Sequence, residues 1–201
     1  MSTSVKDSAI KIFKQHDGML RTSEAIGLGI HPQTLYALRD AGVIEQLSRG
    51  LYRLAQLRPL TNPDLVIVTA RVPQAVICLI SALAFYELTT QIPHVVDVAL
   101  APHTRRPSLD YPPVRAFFFS RESLTAGIDR HVLDGTPVKI YNPAKTIADV
   151  FKYRRKIGLD VAVEALKLYR RRRGFNVNDL LKYARIDRVE KVMRPYIETV
   201  Q

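Results

Sequence analysis

The stretch TPVKIYNPAKTIADVFKYRRKIGLDVAVEALKLYRRRRG, residues 136–174, constrains the fold more than any other part of the chain. Val138 and Ile140 alternate with polar Lys139, which predicts a strand. Asn142 then offers a side-chain oxygen as a helix N-cap, and Pro143 suits the first helical position, where a missing N–H is no loss. Ile147, Val150 and Phe151 form an apolar stripe on that helix, which Gly158 ends. A second helix starts near Leu159, with Ala162, Ala165, Leu166 and Tyr169 on one face, and Gly174 stops it. Asn176 can cap a third, through Leu180, Leu181 and Ala184. Val189, Val192, Met193, Tyr196 and Ile197 follow at helical spacing, and Pro195 is expected to kink or split that last helix.

The middle of the chain reads as strands and connections. LRPLTNPDL (57–65) has the prolines and asparagine of a linker. LVIVTARV is apolar and β-branched, which predicts a buried strand, and PQAVICLISALAFYEL predicts a mostly buried helix. HVVDVALAP and VRAFFFS predict two further strands, joined by a proline-rich loop over 101–113 that carries Arg105 and Arg106. The fold class expected is therefore α+β, with residues 59–201 a mixed α/β domain ending in a helical C-terminal half.

Residues 1–58 predict a separate small module. Val5, Ala9, Ile12 and Phe13 share a helical face, and Gly18 stops that helix. Thr22 is the N-cap expected for a short second helix ending at the glycines 27 and 29. IHPQTLYALRDAG predicts a third helix, with Pro32 in its first turn and Gly42 just past its end. Ile30, Leu35 and Leu38 point inward, and Gln33, Thr34, Tyr36 and Arg39 outward. VIEQLSRGLYRL then predicts a hairpin turning at Arg49-Gly50, because glycine takes positive φ at low cost. Leu47, Tyr52 and Leu54 close the small core; Arg49 projects at the tip with no packing task, and Arg53 faces away from Tyr52.

Three helices followed by a hairpin is the order of a winged helix-turn-helix, whose third helix enters a major groove and whose wing reaches phosphates or a minor groove. The DNA-contacting residues expected are Thr22, His31, Gln33, Thr34, Tyr36, Arg39, Arg49 and Arg53. A small protein-interaction module is the competing reading of the same elements.

Charge favours a polyanionic partner. The chain is formally +11 at neutral pH, with a pI near 9.9. Residues 136–201 hold sixteen Lys and Arg against seven Asp and Glu. Lys145, Lys152, Arg154, Arg155, Lys156, Arg170, Arg171, Arg172 and Arg173 form the candidate phosphate-contacting or partner-contacting surface there. Lys145 and Asp149, four apart on a helix, read as a surface ion pair.

Several classes are disfavoured. Cys78 is the single cysteine and sits among apolar neighbours, so neither a disulfide nor a cysteine-based metal site is expected. His16, His31, His94, His103 and His131 show no ligand spacing. No nucleophile elbow, phosphate loop, dinucleotide fingerprint or paired-carboxylate motif occurs, so no catalytic residue, metal or cofactor is expected. No signal peptide or membrane span is visible, which predicts a cytoplasmic protein with no membrane partner.

GMLRTSEAIGLGIHPQTLYALRDAGVIEQLSRGLYRL resembles the N-terminal domain of AbiE-type (abortive infection, AbiEi) antitoxins of type IV toxin–antitoxin systems. The matching features are the RT before helix two, the GI before helix three and the RG-x-Y hairpin. YNPAKTIADVFKYRRKIGLDVAVEAL is similar to the C-terminal antitoxin domain of that family. The resemblance implies phage defence, a repressor of its own operon acting on operator DNA with inverted repeats, and a cognate nucleotidyltransferase-like toxin neutralised without need of a stable complex. Two alternatives remain open: a solitary winged-helix regulator, and a nucleic-acid-processing enzyme with a winged-helix targeting arm.

Overall fold

The computed structural model describes residues 3–200, of which Thr3 and Val200 only by their backbone. It contains helices and two sheets, a mixed α+β architecture, and the contacts divide it into two compact units. The first comprises the chain up to Pro73 with 108–112 and 132–137; the second comprises 74–107, 113–131 and the remainder from Val138. This division does not fall at 58/59, where the sequence reading placed the domain boundary.

The first unit opens with α1 (Thr3–Gln15), β1 (Met19–Arg21), α2 (Thr22–Gly27) and α3 (Pro32–Asp40). A hairpin of β2 (Ile44–Ser48) and β3 (Leu51–Leu54) follows, and then α4 (Pro63–Arg71). The sheet runs β1-β3-β2, antiparallel throughout, so β3 is its centre. Ala9, Phe13, Leu20, Ala25, Ile30, Leu35, Leu38, Ile44, Tyr52 and Leu54 make its core. Gly50 takes φ +73° at the hairpin turn, as expected, and Gly42 takes φ +68° after α3.

Two local expectations change here. Thr22 is the first residue of α2 and not its cap. The cap position is Arg21, extended because it ends β1, and its N–H donates to Glu24 Oε2 at 2.8 Å. LVIVTARV is helical, not a strand. Asn62 and Pro63 start α4 and Asp64 sits in its first turn, so start signals prevail over β-branched propensity.

The second unit carries β4 (Val76–Ile77), α5 (Leu79–Phe85), β5 (Val96–Leu100), β6 (Val114–Phe118), α6 (Arg121–Thr125) and most of β7 (Ile128–Leu133) and β8 (Thr136–Tyr141). The helical half follows: α7 (Pro143–Lys152), α8 (Arg154–Ile157), α9 (Leu159–Arg170), α10 (Val177–Ile186) and α11 (Glu190–Val200). The sheet order is β6-β5-β4-β8-β7. β4 pairs parallel with β8 and antiparallel with β5, which makes the segment around Val76 a strand where a helix was expected. Non-local pairing of this kind leaves no local mark in sequence. α11 runs through Pro195 without being split there, and Thr199 Oγ1 donates to the Pro195 carbonyl at 2.8 Å.

The two asparagine caps read from sequence hold. Asn142 Oδ1 accepts from the Lys145 N–H at 2.9 Å with Pro143 in the first turn of α7, and Asn176 Oδ1 accepts from the Asn178 N–H at 2.9 Å. Every residue of α7 from Ala144 to Phe151 is buried, because α5, α9 and α10 pack around it.

That packing overturns the surface reading of Lys145. Its side chain is fully buried and its Nζ donates to Asp149 Oδ1, to Asp187 Oδ2 at 3.1 Å and to Ser123 Oγ at 3.2 Å. Ser123 in turn donates to Asp187 Oδ1 at 2.5 Å, and Lys152 reaches the same oxygen at 3.2 Å. The Lys145 ammonium also lies 4.6 Å from the Tyr141 ring centre and 5.0 Å from that of Phe119. Burial pushes the Asp149 carboxyl well above the ordinary range, against the pull of Lys145. Burial also raises Asp187, but Lys145 and the hydrogen bonds from Asp149 and Ser123 outweigh it and hold Asp187 below the ordinary value. Asp149 Oδ2 is buried without a hydrogen-bond partner, which adds to the cost of ionising that carboxyl.

The two carboxylates should therefore respond differently to substitution. Asp187→Asn leaves the buried ammonium without its ionised partner and should lower unfolding free energy by about 3–5 kcal/mol. Asp149→Asn mimics the protonated acid and should cost much less. A raised carboxyl stabilises most below its unfolded pKa and loses that contribution as pH rises, so Asp149→Asn should also flatten the decline with rising pH. Denaturant titrations at several pH values check both effects.

Candidate nucleic-acid interface

The amphipathic spacing of α3 decides what it exposes. Ile30, Thr34 and Leu38 lie four apart on one stripe, with Leu35 beside them, and all four are buried. Thr34 is 6% exposed and packs inward, so it does not belong to the outward face on which the sequence reading placed it. The exposed side chains are His31, Gln33, Tyr36, Arg39 and Asp40. His31 is the N-cap of α3, its Nδ1 accepting from the Gln33 backbone N–H at 3.3 Å. Arg39 pairs with Asp40 at 2.8 Å and its guanidinium carbon lies 5.3 Å from the Tyr36 ring centre. The hydrogen bond from Arg39 to Asp40 raises the arginine further above its ordinary value, so its charge is constant. The face therefore presents an amide, a phenol and a partly neutralised guanidinium.

The hairpin divides its two arginines. Arg49 is exposed at the tip and makes no ion pair among the described residues. Arg53 lies on the central strand and is 7% exposed. Its Nη1 donates to Glu45 Oε1 at 3.1 Å across the hairpin and its Nη2 to the Arg58 carbonyl. Arg53 is consequently a structural residue of the sheet and not a solvent-facing candidate. Thr22 is half-buried at the start of α2, where its N–H donates to the Gly50 carbonyl at 2.9 Å. That bond ties the hairpin turn to the helix start.

In the second unit the basic candidates separate in the same way. Lys145 is internal, Lys152 is half-buried on Asp187, and Arg154 Nη1 donates to the Phe151 carbonyl at 2.9 Å. Arg172 reaches the carbonyl and carboxylate of Glu87 at 3.3 and 3.4 Å, and Arg170 stacks on Phe175 at 5.2 Å. Arg155, Lys156, Arg171 and Arg173 are exposed and form no ion pair among the described residues. Cys78 is fully buried, and burial pushes its thiol well up, which agrees with a core role. Among the described residues no helix is long and apolar enough to cross a membrane.

Sequence reasoning missed the buried Lys145–Asp149–Asp187–Ser123 network and Arg71, the last residue of α4. Asp187 and Ser123 lie far from α7 in sequence, so no spacing rule joins them to Lys145. Arg71 belongs to the stretch misread as a strand.

A family model described as "Transcriptional regulator, AbiEi antitoxin" matches residues 7–55. The match covers most of α1, then α2, α3 and the hairpin, and it bears out the resemblance to AbiEi antitoxins read from the same residues. No curated protein matches the chain.

The contrast between the two hairpin arginines is measurable without any ligand. Arg53→Ala removes a buried guanidinium and frees the Arg58 carbonyl, at an expected cost of about 1–3 kcal/mol. Arg49→Ala should change stability by no more than about 0.5 kcal/mol, as exposed positions do. Thermal unfolding of the two variants reads the difference, and equal losses would contradict the assignment.

Proposed function

We propose that the chain is the antitoxin of a type IV toxin–antitoxin system and a DNA-binding autorepressor of its own operon, using its first unit as a winged helix-turn-helix. The observation that carries this reading is the solvent face of α3, where Gln33 and Tyr36 are exposed, together with the unpaired Arg49 at the hairpin tip. A glutamine amide can pair bidentately with adenine in a major groove. An arginine at a projecting tip suits backbone phosphates or a minor groove. The AbiEi match over the same residues supports a regulator of this kind.

The partners proposed are operator DNA with inverted repeats and a neighbouring nucleotidyltransferase-like toxin. Arg155, Lys156, Arg171 and Arg173 supply exposed positive charge on the second unit for a polyanionic contact. Neutralisation in this reading needs no stable protein complex. The role is regulatory and the protein works in the cytoplasm.

Two outcomes are expected. Gln33→Ala should weaken operator binding by about 1–3 kcal/mol and relax the preference at one base pair, while Thr34→Val, inside the module, should leave that preference intact. Binding by the two variants to the operator and to single-base-pair variants of it tests this. Co-expression of the full chain with the toxin encoded beside it should restore growth. Continued growth arrest would remove the antitoxin half of the proposal, and unchanged operator preference in Gln33→Ala would remove α3 as the reading helix.

A further inference from the structure

Arg71 closes α4, sixteen residues beyond the last residue matched by the family model. A cation is favourable at a helix C-terminus, which accounts for its position in sequence but not for where its side chain goes. The guanidinium extends to the hairpin turn. Its Nη1 lies 3.3 Å from the point a Cβ on Gly50 would occupy, and Thr22 Oγ1 lies 3.4 Å from the same point. A cleft opens there, lined by Ser48, Arg49, Arg71, Ser108, Leu109 and Asp110. All six belong to the first unit.

The cleft lacks internal compensation. Neither Arg49 nor Arg71 makes an ion pair among the described residues, although Asp110 lines the same space. Two guanidinium groups against one carboxylate leave it net positive. Ser48 Oγ, on its wall, is buried and has no hydrogen-bond partner. A buried hydroxyl without a partner costs stability unless something supplies one. Two planar guanidinium forks can only donate and the nearby hydroxyls can donate, and phosphate oxygens satisfy such donors.

We propose that this cleft seats one phosphate of the DNA backbone, held by Arg49 from the hairpin and by Arg71 from α4. α4 is then part of the DNA-binding surface, beyond the segment that carries the family match. The proposal rests on the DNA-binding reading above and adds a specific residue and ligand group to it. Arg71 serves affinity for any sequence, because a backbone contact fixes register without reading bases. A Cβ at Gly50 would crowd the Arg71 guanidinium at 3.3 Å, and the positive φ there also favours glycine.

The test uses the full chain and three variants, Arg49→Ala, Arg71→Ala and Arg71→Lys, each confirmed folded by thermal unfolding. Affinity for operator and random-sequence duplexes is measured across a range of salt. Removing one phosphate contact should make the log–log salt slope shallower by about 0.9 and weaken binding about eightfold near ~0.1 M salt. Arg71→Ala should show both changes equally on operator and random DNA, and Arg71→Lys should retain most of the slope. Identical slopes for wild type and Arg71→Ala, with Arg49→Ala shallower, would remove α4 from the interface while leaving the winged-helix reading standing. Identical slopes together with a thermal shift in inorganic phosphate at constant ionic strength, lost in Arg71→Ala, would give the cleft to a free anion and overturn the proposal. A wild-type chain that binds no duplex would overturn the DNA-binding reading itself.

Discussion

β3 is the strand on which the N-terminal unit depends, because it is hydrogen-bonded along both edges, to β1 and to β2. All four of its residues are buried, including Arg53. A charged side chain survives in the middle of a small sheet only if its donors are used, and Arg53 spends them on Glu45 and the Arg58 carbonyl. The central strand also sets where the turn falls. With Leu51 registered against Arg21, the Gly50 carbonyl meets the Thr22 N–H, and the hairpin tip is held at the start of α2. The exposed position of Arg49 follows from that register.

The second unit is organised around a different constraint. α7 is enclosed on its sides by other helices, yet it carries Lys145 and Asp149 at 0% exposure. A fully buried charge such as the Lys145 ammonium costs several kcal/mol unless partners surround it. Asp187, just past α10, and Ser123, on α6, supply those partners. The polar cluster therefore links three elements of the unit by directional bonds.

Much of this was legible from sequence where the signal was local. Asn142 with Pro143, Asn176, Gly42 and Gly50 act through neighbours a few residues away, and each does what its chemistry predicts. Signals that depend on distant partners were not legible. β4 exists because β5 and β8 flank it, and the segment after Asn62 is helical although its residues favour strands. The same distinction sorts the candidate site. Gln33, Tyr36 and Arg49 are exposed as helical period and turn position predict. Thr34 was misplaced although Ile30 and Leu38 lie on its own stripe, a spacing that was present in the sequence and weighed too little. Arg53 and Lys145 were misplaced because charge suggested surface, and only the strand order and the helix packing show otherwise.

Positive charge in this chain thus performs two tasks. Arg53 and Lys145 hold the interior of each unit, and Arg49 stays exposed beside the solvent face of α3. The most direct measurement is binding of the full chain to the DNA upstream of its own reading frame, compared with a scrambled duplex of equal length over a range of salt. Tighter binding to the upstream DNA, with affinity for both duplexes falling steeply as salt rises, is the result predicted. Equal affinity for the two duplexes, or no binding to either, would contradict it.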